Sequence, residues 1–172
     1  AGDRGMRVEK IALNGFRNYE WETADLAPGT NVICGPNAQG KTNLLEALWL
    51  FTGGRSFRGA RDGELIGFGR ERATLTMAFE AEGRSQNAVV TLSPRRTATL
   101  NGVELGAASK LAGRFCGVVF SPAHLSLIKS GPENRRRFVD AAYCQLRPSY
   151  IGAVSTYERI LQQRNSLLRA LR

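Results

Sequence analysis

Alternating apolar and polar positions mark the start of the chain and its middle. From Met6 onward the alternation predicts a strand, a turn near Asn14-Gly15 and a second strand that runs towards Leu26. A second set of alternating stretches lies further along, and Asn101-Gly102 after it is typical of a hairpin turn. These stretches are residues 73–80, 88–92 and 98–100. The pattern predicts an antiparallel β meander in the middle of the chain.

Two short apolar runs lack this alternation, at residues 31–34 and 117–120. A continuous apolar run bounded by turn residues is typical of a strand that is buried on both faces. We therefore expect a buried strand at each of these places.

Apolar residues at helical spacing predict several helices. A helix after residue 42 should end at Gly53-Gly54, with an apolar face made of Leu44, Leu45, Leu48, Trp49 and Phe51. Short helices are expected near Glu64 and at 107–112. Longer helices, each with a proline at or near its first turn, are expected at 122–129 and 132–144.

The last part of the chain repeats spacings of four and three residues. The repeat consists of Tyr150, Val154, Tyr157, Leu161, Arg164, Leu168 and Leu171. Such a repeat is typical of a coiled-coil seam, and also of an ordinary amphipathic helix. The sequence leaves these two alternatives open.

Composition and charge narrow the class of protein. The 172 residues are 42% hydrophobic and 23% charged, as in a soluble globular domain. The net charge of +9 suits a nucleic-acid partner, although a merely soluble surface explains it equally well. No apolar run is long enough to span a membrane, so no membrane partner is expected.

The three cysteines, Cys34, Cys116 and Cys144, each lie in an apolar run, and they form no C-x-x-C pair. We expect buried free thiols rather than disulfides or a zinc site. This interpretation indicates a reducing, cytoplasmic location.

A phosphate-binding loop is the strongest chemical signal. Gly35, Gly40, Lys41 and Thr42 satisfy the pattern G-x-x-x-x-G-K-[ST] between a predicted strand and a predicted helix. Glycines let backbone N–H groups surround a phosphate, and the helix N-terminus adds partial positive charge. Lys41 then reaches the β- and γ-phosphates, and the Thr42 hydroxyl is placed to ligate Mg²⁺.

A P-loop ATPase also needs an acidic residue after an apolar strand, and we find no suitable one in this sequence. Glu80 ends an apolar run but belongs to the meander, and Asp140 follows a run that begins after three arginines. We expect the chain to bind a nucleotide without hydrolysing it alone, and we assign no catalytic residue.

Five motifs in a fixed order resemble the RecF family of bacterial recombination mediators, which are relatives of the SMC and ABC ATPases. They are FRNY at 16–19, GPNAQGKTNLLEAL at 35–48, GRSFRG at 54–59, FSPAHLSLIKSGPENRRRFVD at 120–140 and LQQRNSLL at 161–168. The resemblance extends from Met6 to Arg172. It implies that the family's signature motif and metal-binding acid lie in a C-terminal part absent here.

The fold that this resemblance implies is α/β. It is the N-terminal lobe of an ABC-type, SMC-like P-loop ATPase head, with a mixed sheet around the phosphate loop. An antiparallel β subdomain and the start of a helical arm complete it. We interpret residues 1–5 as a remnant added for expression, 6–147 as the head lobe and 148–172 as the truncated start of the arm.

The resemblance also implies which residues hold ATP. They are Gly35, Pro36, Asn37, Ala38, Gln39, Gly40, Lys41, Thr42 and Asn43, together with Arg17 and Asn18. Either Arg58 or Arg61 would reach the nucleotide. Where SMC relatives have a glutamine that contacts Mg²⁺ and the attacking water, this chain has Ser121, which is too short for the same direct contact.

An ATP-dependent DNA-binding switch is the implied activity, with ATP and Mg²⁺ as cofactors. ATP held between two protomers would dimerise the full-length protein on single- and double-stranded DNA at gaps or junctions. Weak DNA-dependent ATP hydrolysis would then release it. The implied setting is DNA replication and repair, including gap repair, recombinase loading and the SOS response, with RecO and RecR as partners.

A different class of function stays open from the residues alone. A self-contained P-loop kinase or nucleotidase for a small molecule would use the basic, glycine-rich segment 55–72 as a lid. The missing metal acid and the terminal repeat favour the switch.

The arginine run 135–137 is the densest group of charges in the sequence. On a helix the three side chains diverge too widely to face one partner. We expect a structural helix in which Arg136 pairs with Asp140, rather than a DNA contact.

Overall fold

The computed structural model describes residues 5–122 and 131–171 of the chain. The chain divides into two compact units, residues 1–120 and residues 121–172. The first unit contains a β-sheet and the phosphate loop, and the described part of the second is helical.

One six-stranded sheet forms the frame of the first unit. Its strands lie in the order β2-β1-β3-β4-β5-β6, and every neighbouring pair is antiparallel. They are β1 (Arg7–Phe16), β2 (Tyr19–Asp25), β3 (Ala73–Ala81), β4 (Arg84–Leu92), β5 (Thr97–Leu100) and β6 (Val103–Ala107). The buried residues alternate along the strands, as expected for a sheet with one face on a core.

Helix α1 (Lys41–Leu50) and the inner face of the sheet share one apolar core. The buried positions of β3 are Ala73, Leu75, Met77 and Phe79, and those of α1 include Leu44, Ala47 and Leu50. Two 3-10 helices, η1 (Asp62–Leu65) and η2 (Ala108–Leu111), add Leu65 and Leu111. Burying each large apolar side chain contributes about 1.5–3 kcal/mol, so this core fixes α1 firmly on the sheet.

The α/β fold class and the antiparallel meander are both confirmed. The hairpin turn predicted at Asn101-Gly102 joins β5 to β6. Asn101 has φ of 51° and Gly102 has φ of 79°, the pair of left-handed conformations that a type I′ turn requires.

The two opening strands and the turn between them are confirmed, but the turn lies later than predicted, because β1 continues to Phe16 and the chain reverses at Arg17-Asn18 instead of near Asn14-Gly15. Gly15 is instead required by a close contact with a distant segment. Gly67 N–H donates to Gly15 O at 2.7 Å, and a Cβ on Gly15 would lie 2.8 Å from Arg70 Cδ. The glycine permits the close approach of a distant segment, which sequence alone does not distinguish from a turn.

The buried strands predicted at 31–34 and 117–120 are also wrong. Among the described residues, neither segment forms a strand, and Val32, Val118 and Phe120 are 83%, 97% and 77% exposed. A strand needs the edge of a neighbouring strand as well as an apolar sequence. The described sheet is therefore antiparallel throughout, rather than mixed.

The cysteines are free thiols, as predicted, but their predicted burial is wrong in two cases. Cys34 and Cys116 are exposed, because they lie in or beside the two segments that form no strand. Cys144 is half-buried, and this burial, followed by the nearby charges of Asp140 and Glu158, raises the pKa of its thiol.

Two helices are confirmed in the second unit, α2 (Pro132–Leu146), with Pro132 in its first turn, and α3 (Tyr150–Ala170). The rings of Tyr143 and Tyr150 meet edge to face with centroids 4.9 Å apart.

The helix predicted at 122–129 lies outside the described residues, apart from Pro122. In the part of the chain that is described, no helix has both the length and the apolar character needed to cross a membrane.

The ion pair predicted on α2 is replaced by another. Asp140 accepts a hydrogen bond from Tyr150 Oη at 3.0 Å, instead of pairing with Arg136. On the same helix Arg137 pairs with Glu133, one turn away, at 2.5 Å.

Candidate nucleotide-binding site

The phosphate loop enters α1 through a series of unusual backbone conformations. Gly35, Ala38 and Gly40 have φ values of 150°, 67° and 100°. Gly40 is the residue before the helix, and its carbonyl accepts the first helical hydrogen bond, from Leu44 N–H at 3.0 Å. The N–H groups of the first helical turn are therefore turned towards the loop, where they suit an anion.

Gly40 is required by space as well as by conformation. A Cβ at this position would lie 2.8 Å from Asn18 Oδ1 and 2.9 Å from Tyr19 Cζ. Tyr19 Oη donates to Gly40 O at 3.1 Å. Burial, followed by the charge of Glu22, raises the pKa of Tyr19.

Lys41 bends back over the loop. Its Nζ donates to Gly35 O at 2.7 Å and to Pro36 O at 2.6 Å. Both acceptors belong to the loop, so the ammonium group lies against the backbone of the loop.

A cleft of about 280 Å³ opens beside the loop, and its wall consists of Asn37, Ala38, Gly40, Lys41, Thr42, Asn43 and Arg58. Of the two arginines that the sequence proposed, only Arg58 belongs to this wall. Arg61 lies immediately before η1, and its N–H donates to Glu64 Oε2 at 2.7 Å. Of the two, Arg58 therefore lines the cleft, and its contact with a nucleotide stays a prediction.

Arg17 and Asn18 lie at the site but serve different partners. All three nitrogens of the Arg17 guanidinium donate within the protein, two to Glu46 at 3.0 Å and one to Glu64 O at 3.0 Å. Asn18 accepts from Asn43 Nδ2 at 2.7 Å. The Arg17 side chain thus joins the turn after β1 to α1 and η1, whereas Asn18 touches a residue of the cleft wall.

Glu46 is a buried charged residue beside the site that the sequence reasoning did not single out. It is completely buried on α1, although it is a carboxylate. It accepts hydrogen bonds from Arg17 and from Ser56 Oγ, and Arg58 Nη1 lies 3.6 Å from its Oε2. One signal was available, since Glu46 is the one charged residue in the apolar stretch 44–51.

The residues present suit the phosphate chain of a nucleotide. Backbone N–H groups, the Lys41 ammonium and the Arg58 guanidinium are donors only, and the space beside Gly35 is open. Thr42 supplies the hydroxyl that a P-loop offers to Mg²⁺. Within the described residues no cluster of acidic, histidine or cysteine side chains could hold a metal by itself, and the role of Ser121 stays a prediction.

Comparison with known proteins agrees with this arrangement. A family model described as an AAA domain matches residues 10–109. The DNA replication and repair protein RecF of Acetivibrio thermocellus is 38% identical over 168 residues, covering 96% of this chain and 46% of the relative. The RecF of Heliobacterium modesticaldum is 41% identical over 171 residues, covering 97% and 45% respectively.

Solved structures show the same relationship. The recombination mediator protein RecF with ATP, described as part of the RecFOR pathway, matches with a TM-score of 0.87 and 33% identity. The match covers 96% of this chain and 45% of that one. The SMC head domain from Thermotoga maritima matches with a TM-score of 0.53 and 24% identity, over 65% of this chain and 43% of that one. That likeness shows the shared fold alone.

The sheet, the loop and the start of α1 together define a P-loop nucleotide-binding lobe with the fold of an SMC-type head. The chain belongs to the AAA-domain family and corresponds to the amino-terminal part of the RecF proteins. It spans about half the length of the curated relatives that it matches.

Proposed function

We propose that this chain supplies the ATP-binding part of a recombination mediator that acts in DNA replication and repair. The observation that carries the proposal is the cleft formed by the loop, Lys41 and Arg58, on a chain that matches RecF proteins along nearly its whole length. Lys41 neutralises the β- and γ-phosphates, the loop N–H groups surround the phosphates, and Thr42 holds Mg²⁺.

The proposed function needs a second protomer, because ATP would be held between two copies of the full-length protein. The sequence offers no metal-binding acid, so ATP held here would become competent for hydrolysis only with groups from elsewhere in the full-length protein and its partner. Dimerisation on gapped or junction DNA, cooperation with RecO and RecR, a part in the SOS response and a cytoplasmic location belong to the same proposal. The second unit supports it, since residues 121–172 hold nine basic and three acidic residues.

The structure gives the small-molecule kinase alternative little support. Its predicted lid starts at residue 55, and two side chains hold the backbone at that start. Trp49 Nε1 donates to Arg55 O at 2.8 Å, and Arg96 Nη1 donates to Gly54 O at 2.7 Å. Phosphoryl transfer from ATP to a small acceptor by the chain alone would instead support the kinase hypothesis.

Replacing Lys41 tests the proposal. In the full-length protein, Lys41→Ala should weaken MgATP binding at least about tenfold in calorimetric titration, because a charged hydrogen bond is lost. Light scattering should show that ATP no longer induces dimers. Lys10→Ala is the control, since Lys10 forms a solvent-exposed pair with Asp25. Unchanged ATP affinity in Lys41→Ala would refute the proposed site.

A further inference from the structure

We infer that Glu46 is a positioning residue, which sets the location of Arg58 in the wall of the nucleotide cleft. The inference rests on the proposed function, because it concerns how that cleft holds a nucleotide. It starts from the contrast between Glu46, a fully buried carboxylate, and Arg58, a side chain that is 45% exposed and lines the cleft.

Glu46 controls Arg58 at the backbone through Ser56. Ser56 Oγ donates to Glu46 Oε1 and in turn accepts from Arg58 N–H at 3.1 Å and Ala60 N–H at 3.3 Å. A hydroxyl has one proton to donate, so the carboxylate acceptor fixes the direction of this bond and leaves the oxygen's lone pairs for the loop. The turn that carries Arg58 is therefore anchored to α1 at a buried point.

Glu46 also acts on the far end of the side chain. Arg58 Nη1 lies 3.6 Å from Glu46 Oε2 and donates to Asn43 Oδ1 at 2.8 Å. The distance from Arg58 to Glu46 is too long for a hydrogen bond, whereas the one from Arg58 to Asn43 is short. The carboxylate therefore attracts the guanidinium electrostatically without forming a hydrogen bond to it. Coulomb attraction persists at this distance in a partly buried setting and directs the side chain towards the first turn of α1.

Arg17 makes this division of roles possible. It binds Glu46 with two nitrogens at 3.0 Å and is only 20% exposed, so it offsets the buried negative charge. Arg58 is then not needed for neutralisation, and its remaining nitrogens are left to a ligand. The Glu46 carboxylate thus binds Arg17 directly and leaves Arg58 available to a ligand in the cleft.

The hydrogen bonds continue from Arg58 to the loop itself. Arg58 donates to Asn43, Asn43 donates to Asn18 at 2.7 Å, and Asn18 Nδ2 donates to Gln39 O at 3.4 Å. A displacement of Arg58 would therefore also loosen the wall beside Gly40. Glu46 affects nucleotide affinity through this chain and touches no ligand.

A double-mutant cycle tests the inference in the full-length protein, with MgATP affinity measured by calorimetry. Arg58→Ala should weaken binding about tenfold, since a charged hydrogen-bond donor is lost. Glu46→Gln, which keeps the size but removes the charge, should weaken it comparably. The double variant should bind no more weakly than Arg58→Ala alone, within about twofold. Losses that multiply, or normal binding by Glu46→Gln, would overturn the inference.

Two further variants separate folding from positioning. Ser56→Ala removes the backbone anchor alone and should weaken ATP binding in the wild type but not in Arg58→Ala. It replaces Glu46→Gln if thermal unfolding shows that the latter does not fold. Arg84→Ala removes an exposed arginine at the start of β4 and should bind ATP normally.

If both Lys41→Ala and Arg58→Ala bind normally, the proposed site fails and the inference with it. If Lys41→Ala alone loses binding, only the inference fails.

Discussion

Two arginine–glutamate pairs of similar length show how differently the two units use charge. Arg17 and Glu46 lie 3.0 Å apart with 20% and 0% of their side chains exposed, whereas Arg137 and Glu133 lie 2.5 Å apart with 63% and 69% exposed. The first pair joins a turn of the sheet to α1, and the second joins two residues of one helix. Bond length therefore says little about importance, and burial and connectivity decide it.

The surroundings of the two pairs differ in the same way. Around Glu46 the polar atoms are shared among several segments, and in the described residues no buried side-chain polar atom lacks a hydrogen-bond partner. Helices α2 and α3 have no fully buried residue, and α3 exposes Tyr157, Ile160 and Leu167. The first unit organises a ligand site, whereas the second presents charge and apolar side chains to its surroundings.

Removing each acid gives the largest predicted contrast. Glu46→Ala should lower the free energy of unfolding by about 3–5 kcal/mol, because it leaves a partly buried arginine without its partner. Glu133→Ala should change it by less than about 0.5 kcal/mol, as expected for an exposed pair one turn apart on a helix. Chemical denaturation of both variants measures the difference, and equal losses would contradict the argument from burial.

Much of this architecture can be predicted from sequence, because local patterns encode it. The alternation in 73–100 identifies the meander, and the loop pattern identifies Lys41 and its helix. The role of Glu46 depends on Arg17 and Ser56, which are distant in the sequence and adjacent only after folding. The runs at 31–34 and 117–120 show the same limit, since an apolar pattern does not encode a neighbouring strand.

Backbone strain in the loop gives the next contrast. Gly40 and Gly29 both have positive φ, of 100° and 85°, but only Gly40 would place a Cβ against neighbours, at 2.8 Å from Asn18. Alanine at either position should cost about 1–2 kcal/mol for the left-handed conformation. Gly40→Ala should cost more than Gly29→Ala, and it alone should weaken ATP binding. Thermal unfolding and calorimetry distinguish them, and identical behaviour would mean that the Gly40 contact relaxes without consequence.

The smallest predicted effect concerns the pKa values of two tyrosines, Tyr19 and Tyr150. The pKa of Tyr19 is raised first by burial, whereas that of Tyr150 is raised first by its hydrogen bond to Asp140. Asp140→Asn should therefore lower the pKa of Tyr150 towards its ordinary value and leave that of Tyr19 unchanged, and tyrosinate absorbance follows both.

The sign of the pH effect follows from the direction of these shifts. A raised pKa stabilises the fold below the unfolded value of about 10 and loses that contribution as the pH rises through the folded value. Tyr150→Phe should thus be destabilised relative to the wild type at neutral pH and approach it in alkali. A constant difference between the two proteins across that range would mean that the hydroxyl of Tyr150 contributes nothing through its bond to Asp140.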